Sequence, residues 1–227
     1  MISYEDAKVI FGYLVKYRDI FNSNEINAIL SYLTNSDYEV FMPDIMRELC
    51  DELKIIPDNK SLYKAFMMLV DSVFDIKNKR IIEVGGGIIP TLGKRISNYQ
   101  DSGNIKVYDP RLSIYEKSTE KIVLFREKFT INTDVEDADL LIGLMPCEAA
   151  NVIVKSAVNN RKDFMLALCE GGSHGDDFDG YADEEKWRAT LISYAQEKIE
   201  ENGLGKIKIK YLKEYGDPYP IIYNERG

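Results

Sequence analysis

The feature that most constrains this chain is a run of three glycines between an apolar segment and a helix-like segment. Residues 80–84 read Arg-Ile-Ile-Glu-Val, and Gly85, Gly86 and Gly87, hereafter the glycine turn, follow directly. Glycine allows a sharp backbone turn and the close approach of a ligand. Pro90 then suits the first turn of a helix. The pattern predicts a strand, a tight turn and a helix, a unit that many nucleoside-binding sheets share.

From residue 79 onward, short apolar runs alternate with longer amphipathic stretches. Nearly continuous apolar runs are typical of parallel strands that are covered on both faces. Most of the intervening stretches are long enough for a helix. We therefore predict a doubly wound, mostly parallel α/β sheet. The predicted parallel strands are 80–84, 105–109, 122–125, 139–145 and 164–169, of which the third could also be part of a helix.

The chain closes with a predicted helix and two further predicted strands. The helix covers 183–202, with Asp183 as its N-cap and Gly203 as its stop. Strands are predicted at 206–212 and 220–225. Because a parallel crossover needs about a dozen residues or more, the short segment between them predicts a C-terminal antiparallel hairpin.

Residues 1–78 are predicted to form an N-terminal helical region, and residues 79–227 the sheet domain. Apolar residues recur here at close to the helical period, and no strand-like alternation is visible. The many aromatic side chains fit a helix core. Alternatively, some of them close over a ligand as a lid or an acceptor-binding layer. Helices are predicted at 5–21, at 24–33 with Ser23 as the cap, at 43–53 opened by Pro43, and at 61–76 with Ser61 or Asp58 near the start.

An acidic residue ends the second predicted strand, where a ribose-binding group is expected. Asp109 stands about 22 residues after Gly87, and a carboxylate at this place can accept hydrogen bonds from both ribose hydroxyls. The dinucleotide fingerprint requires a glycine where Pro90 stands, and the phosphate-binding P-loop pattern does not occur. Glu83 would point a carboxylate toward the turn. That charge suits a ligand with a positive amine or sulfonium better than a pyrophosphate.

Glu83, the glycine turn, Asp109 and the terminal hairpin make residues 79–227 resemble the class I methyltransferases that depend on S-adenosylmethionine (SAM). The E-x-G-G-G turn is similar to the first motif of that superfamily, although Ile89 fills its third glycine position. The resemblance implies a Rossmann-like fold with SAM as cofactor. It implies that Glu83 and the glycine turn face the amino-acid end of SAM and that Asp109 holds the ribose. Asp134, after the third strand, is expected to reach the adenine.

The ends of the fourth and fifth predicted strands carry the candidate catalytic residues. The resemblance places these strands side by side, and methyl transfer needs in-line positioning plus a base if the acceptor loses a proton. Glu148 and His174 are the candidates. Glu148 could instead start the next helix, and His174 could be a solvated loop residue. Cys147, Cys169 and His174 are possible zinc ligands, but their spacing is not diagnostic and we predict no metal site.

Charge and motifs also indicate the class of partner. The net charge is −9, from 29 basic and 38 acidic residues. The end of the fourth strand lacks the [DNS]PP[YFW] signature of the methyltransferases that modify bases. We therefore predict no nucleic-acid partner and a small-molecule acceptor.

Three further features of the sequence predict the cellular location of the protein. No run approaches the roughly 20 apolar residues of a membrane helix. The N-terminus lacks a signal-peptide layout. The three cysteines form no CxxC pair, as is typical of reduced thiols. These features predict a cytoplasmic protein without a membrane partner.

Three alternatives to a methyltransferase remain open from the sequence. The chain could bind SAM or another nucleoside without performing chemistry. It could transfer the aminocarboxypropyl group of SAM instead of the methyl group. It could also be an oxidoreductase that uses a dinucleotide, although Pro90 and Glu83 disfavour this alternative.

Overall fold

The computed structural model describes residues 2–34, 44–169 and 184–226. Over these residues the helices are α1 (Tyr4–Lys16), α2 (Ser23–Thr34), α3 (Asp44–Glu52), α4 (Leu62–Phe74), α5 (Thr91–Tyr99), α6 (Ala150–Asn159) and α7 (Glu184–Asn202). The strands are β1 (Arg80–Val84), β2 (Asn104–Tyr108), β3 (Ile122–Phe125), β4 (Leu140–Leu144), β5 (Asp163–Ala167), β6 (Lys206–Leu212) and β7 (Asp217–Glu225).

The strands form one seven-stranded sheet in the order β3-β2-β1-β4-β5-β7-β6 within the described ranges. The first five strands are parallel, and β7 lies antiparallel between β5 and β6. The predicted doubly wound sheet with a terminal antiparallel hairpin is confirmed. The strand order reverses between β1 and β4, and ligands of open α/β sheets bind at the carboxyl edge beside such a reversal.

Helices fill only some of the connections for which the sequence allows them. As expected, α5 connects β1 to β2, α6 connects β4 to β5, and α7 connects β5 to β6. In contrast, the connections 109–121 and 126–139 contain no α-helix. The helical alternative for the third strand is wrong, because 122–125 pairs with β2. Before it, the Ser118 hydroxyl accepts from the Leu124 amide at 2.9 Å, and the Thr119 hydroxyl accepts from the Ile122 amide at 3.3 Å. Such side-chain bonds compete with helix formation.

The N-terminal helices begin at capping residues, one of which differs from the prediction. Asn22, not Ser23, caps α2. Its side-chain oxygen accepts from the Glu25 amide at 3.0 Å, and the Glu25 carboxylate accepts from the Asn22 amide at 2.9 Å. This reciprocal pair is a capping box, which explains the shift by one residue. Ser61 caps α4 as predicted, whereas Pro43 and Asp183 lie outside the described residues.

Three apolar cores hold these elements together. One joins α6 and α7 to one face of the sheet, and a second joins α4 and α5 to the other face. The third is built from α1, α2 and α3, and it includes Ile88 and Ile89, which follow the glycine turn. The helical region therefore packs directly on the segment where the sequence predicts a ligand.

Candidate functional site

The glycine turn connects β1 to α5 at the carboxyl edge of the sheet. Gly85 and Gly87 have φ angles of +80° and +75°, a region that side chains rarely adopt. The Gly85 amide donates to the Tyr108 carbonyl at 2.9 Å, which ties the turn to the end of β2. A Cβ atom on Gly85 would lie 2.9 Å from Cα of Pro146, after β4. The glycines thus meet a packing requirement of the protein itself.

Asp109 follows β2 and lies on the glycine turn, as predicted from the sequence. One carboxylate oxygen accepts from the Gly87 amide at 2.9 Å, and the other accepts from the Arg111 amide at 2.7 Å. The second bond caps the turn after β2, a structural task that the carboxylate performs without a ligand. A carboxylate has about four acceptor sites, so each oxygen of Asp109 retains one for a further donor.

Glu83 is buried between the glycine turn and α5. Its Oε1 atom lies 3.9 Å from the position of a Cβ on Gly86, and its Oε2 atom lies 2.7 Å from that of a Cβ on Gly93. Oε2 makes no hydrogen bond to a residue in the described ranges. Burial and the charge of Asp109 raise the pKa of Glu83 to about 8, and the Gly93 amide opposes them. The site therefore contains a buried carboxyl group whose negative charge, when ionised, is not fully compensated by its surroundings.

Glu48 of α3 is a third acidic group on the turn, and the sequence reasoning missed it. Its Oε1 accepts a hydrogen bond from the Ile89 amide. The two carboxylate oxygens lie 2.8 and 3.0 Å from the position of a Cβ on Gly87. Burial raises the pKa of Glu48 to about 8, with Asp109 adding to the increase, while the Ile89 amide and Arg111 oppose it. Glu48 is only 5% exposed.

The role of Glu48 was not predicted because of the direction in which the polar face of α3 points. Such a face usually meets solvent, but here it meets α5. Asp51 accepts two hydrogen bonds from the Arg95 guanidinium, at 2.6 and 2.9 Å. Glu52 pairs with Lys94 at 2.8 Å. No local pattern distinguishes a polar face that meets water from one that meets another charged helix.

The segment after β4 brings one candidate catalytic residue to the same edge of the sheet. Met145 and Cys147 have φ angles of 54° and 48°, which strains residues other than glycine. Glu148 is exposed within the short 3-10 turn Cys147–Ala149. Pro146 contacts the glycine turn, so Glu148 lies two residues from that contact.

The remaining predicted site residues are separate from this cluster or outside the described part. Asp134 is exposed, and its carboxylate accepts from the Glu136 amide at 2.9 Å. Burial raises the pKa of Tyr108, and the charges of Glu127 and then Asp134 add to the increase. The Tyr108 ring stacks on Phe125 with centroids 4.5 Å apart. His174 lies outside the described residues, and so does any cluster that includes it.

Two further properties hold for the described residues. Among them, no group of three or more His, Cys, Asp or Glu side chains has an arrangement suited to a metal ion. In the same ranges, every helix is too short or too polar to cross a membrane.

Comparison with known proteins identifies the fold. Magnesium protoporphyrin IX methyltransferase from Synechocystis PCC 6803, solved with bound SAM, is 12% identical with a TM-score of 0.50, and the match covers 100% of both chains. The CMeT domain of the citrinin polyketide synthase is 10% identical with a TM-score of 0.51, and the match covers 82% of this chain and 58% of that one.

Human N-acetylserotonin methyltransferase, solved with SAM, is 13% identical with a TM-score of 0.47, over 96% of this chain and 66% of the human one. No protein-family model matches the chain, and neither does any curated protein sequence. The two similarities with TM-scores of 0.50 and 0.51 show that the chain has the fold of the class I SAM-dependent methyltransferases.

Proposed function

We propose that this chain, which has the class I methyltransferase fold, binds SAM at the glycine turn and transfers its methyl group to a small molecule. The observation that carries the proposal is the set of three buried acidic residues, Glu48, Glu83 and Asp109, against one glycine turn. The turn lies at the carboxyl edge of the sheet, beside the reversal of strand order between β1 and β4. Ligands of open α/β sheets bind at such a place.

The charge of the site favours SAM over a dinucleotide. Burying a carboxylate without a counter-charge is costly, and the raised pKa values of Glu48 and Glu83 express that cost. A pyrophosphate would add negative charge to these groups. The sulfonium and ammonium groups of SAM would instead compensate them. The residues present therefore fit SAM.

Each part of the site has a role in this proposal. Asp109 would accept hydrogen bonds from the ribose hydroxyls at its remaining acceptor sites. The glycine turn would let the cofactor approach the backbone closely, and the cationic groups of the cofactor would favour the ionised form of Glu83 beneath it. Asp134 stays a prediction for the adenine.

Methyl transfer requires a base when the accepting atom carries a proton that it must lose. When bound, SAM supplies a methyl group whose carbon–sulfur bond breaks as the acceptor bond forms, with the electron pair left on sulfur. Glu148, exposed at the carboxyl edge after β4, would take the proton that the acceptor loses. His174 remains a second candidate for this role.

Thermal unfolding with added ligands tests the binding part of the proposal. SAM or S-adenosylhomocysteine at about 100 times its dissociation constant adds about 2.7 kcal/mol of stability. For a chain of this size the midpoint should rise by about 5 to 10 °C. NAD and NADP should leave the midpoint unchanged. A rise with NAD and none with SAM would favour the oxidoreductase alternative.

Label transfer tests the acceptor class. The protein is incubated with SAM tritiated in its methyl group and with one of three fractions: deproteinised small molecules, total RNA or total protein. We expect label in the small-molecule fraction and a lower rate for Glu148→Gln. Label in RNA or protein alone would contradict the small-molecule acceptor. Binding of SAM without any transfer would favour the catalytically silent alternative.

A further inference from the structure

We propose that Glu48 is itself a ligand-binding residue, through which the N-terminal helical region makes the site selective for adenosyl ligands that carry positive charge. This inference rests on the proposed function, because it assigns a contact to the same site. It goes beyond the sequence motif, all of whose residues lie in the sheet domain.

The first step is the position of the Glu48 carboxylate. Oε1 accepts from the Ile89 amide, and both oxygens face Gly87, the residue whose amide binds Asp109. The bond from Ile89 occupies Oε1, and Oε2 lies 3.0 Å from the position of a Cβ on Gly87. The turn thus has one acidic group from the sheet and one from α3 on the same glycine, and the carboxylate of the second group retains acceptor sites for a further donor.

The second step is the charge around Glu48. Glu25 of α2 and Asp109, after β2, add negative charge, and Arg111 adds positive charge. Arg111 lies 3.5 Å from Glu25 and is itself largely exposed, so solvent and Glu25 weaken its effect on Glu48. Glu83 of β1 adds a further acid below the turn. Arg111 has the largest single effect of the charges on Glu48, but it stands against three acidic groups, and a cationic ligand would supply further positive charge.

The third step separates binding from a purely structural role. Glu48 could serve only to hold α3 on the turn through the Ile89 amide. Glutamine keeps the size of the side chain and an oxygen that accepts from this amide. Glu48→Gln therefore removes the charge while it preserves the contact. A structural role predicts unchanged ligand binding in this variant, whereas a ligand contact predicts weaker binding.

The experiment is calorimetric titration of SAM into the wild type, Glu48→Gln and the matched control Glu52→Gln. Glu52 lies one helical turn further along α3 and pairs with Lys94. We expect Glu48→Gln to bind SAM about ten- to hundredfold more weakly, because a charge-assisted contact is lost. The control should bind as the wild type does.

Titrations in two buffers of different ionisation enthalpy provide a second readout. A cation lowers the pKa of a carboxyl group that burial holds high, so the wild type should release protons when SAM binds at pH 7. Glu83, whose pKa is also raised, contributes to this release as well as Glu48. Glu48→Gln should release measurably fewer protons than the wild type and than Glu52→Gln.

The outcomes distinguish this inference from the proposed function. If the wild type does not bind SAM, the proposed function fails and this inference fails with it. If the wild type binds SAM and Glu48→Gln shows equal affinity and equal proton release, this inference is overturned and the proposed function stands. The melting temperature of ligand-free Glu48→Gln checks its fold, and Glu48→Asp, which keeps the charge, should retain part of the affinity and proton release if the Gln variant unfolds.

Discussion

The glycine turn has two sides, and they differ in how their acidic groups are held. On the sheet side, Asp109 follows β2 directly and binds two backbone amides, from Gly87 and Arg111. On the helical side, Glu48 comes from a distant part of the chain and binds one amide, that of Ile89. The sheet side depends on strand geometry. The helical side depends on how α3 packs against α5. The position of Asp109 therefore follows from local structure, whereas the position of Glu48 follows from tertiary packing.

The largest effect is expected from breaking the attachment of the helical side. Arg95→Met removes the guanidinium that pairs with Asp51 and Asp58. The Asp51 side chain, which is 1% exposed, then loses its cationic partner and keeps the Ser61 hydroxyl as a donor. We expect a loss of about 3 kcal/mol in the free energy of unfolding, measured with urea. The control Lys94→Met removes two more exposed pairs, with Glu52 and Glu116, and should cost less than about 1 kcal/mol. Equal losses would show that the Asp51–Arg95 pair is not the main attachment.

On the sheet side, Asp109→Ala should affect stability as well as binding. The loss of a strand-end acid with few partners would weaken ligand binding and leave the free protein nearly unchanged. The bonds to Gly87 and Arg111 lead us to expect a loss of about 1 to 3 kcal/mol in the free protein. SAM binding should weaken by about 30- to 1000-fold, as measured by calorimetry. Lower stability with unchanged affinity for SAM would show that Asp109 acts only as a turn-capping residue.

A further effect concerns the pH dependence of stability, to which both sides contribute. The pKa of Glu83 is about 8 in the folded chain and about 4.3 in an unfolded one. Between these values the folded form holds a proton that the unfolded form has lost, so stability falls as pH rises. The slope from one group is at most about 1.4 kcal/mol per pH unit.

Glu83→Gln should therefore flatten the loss of stability between pH 5 and pH 8, measured by urea unfolding at several pH values. The variant should be more stable than the wild type at pH 8, and the difference should shrink toward pH 5. Glu48 keeps part of the slope, because its pKa is also raised. The exposed control Glu120→Gln should keep the full slope. An unchanged slope in Glu83→Gln would contradict the buried, uncompensated state of Glu83.

The same contrast explains what the sequence could predict. Short apolar runs predicted β1, β3 and β6 with their observed bounds, although for β3 the local pattern also allowed a helix. The hairpin followed from the short connection between β6 and β7. The acid at the end of β2 followed from its distance to the glycines.

What the sequence could not predict depends on contacts between distant segments. Glu48 lies in a helix whose charged residues look suited to solvent, and only its packing against Arg95 and the glycine turn reveals another role. The connections without helices have lengths that permit helices, but side-chain bonds such as that of Ser118 to the Leu124 amide favour an irregular path. The second bond of Asp109, to Arg111, likewise became visible only in three dimensions.

The most direct test of the central claim is a crystal structure of the protein with S-adenosylhomocysteine. The account predicts the ligand at the carboxyl edge beside β1 and β4, with its ribose hydroxyls about 2.5 to 3.0 Å from the Asp109 carboxylate. The amino-acid part of the ligand should pass close to the glycine turn, and its amine should lie near the Glu48 carboxylate. Ligand bound elsewhere on the molecule, or an Asp109 carboxylate that contacts only Gly87 and Arg111 while ligand is present, would contradict the account.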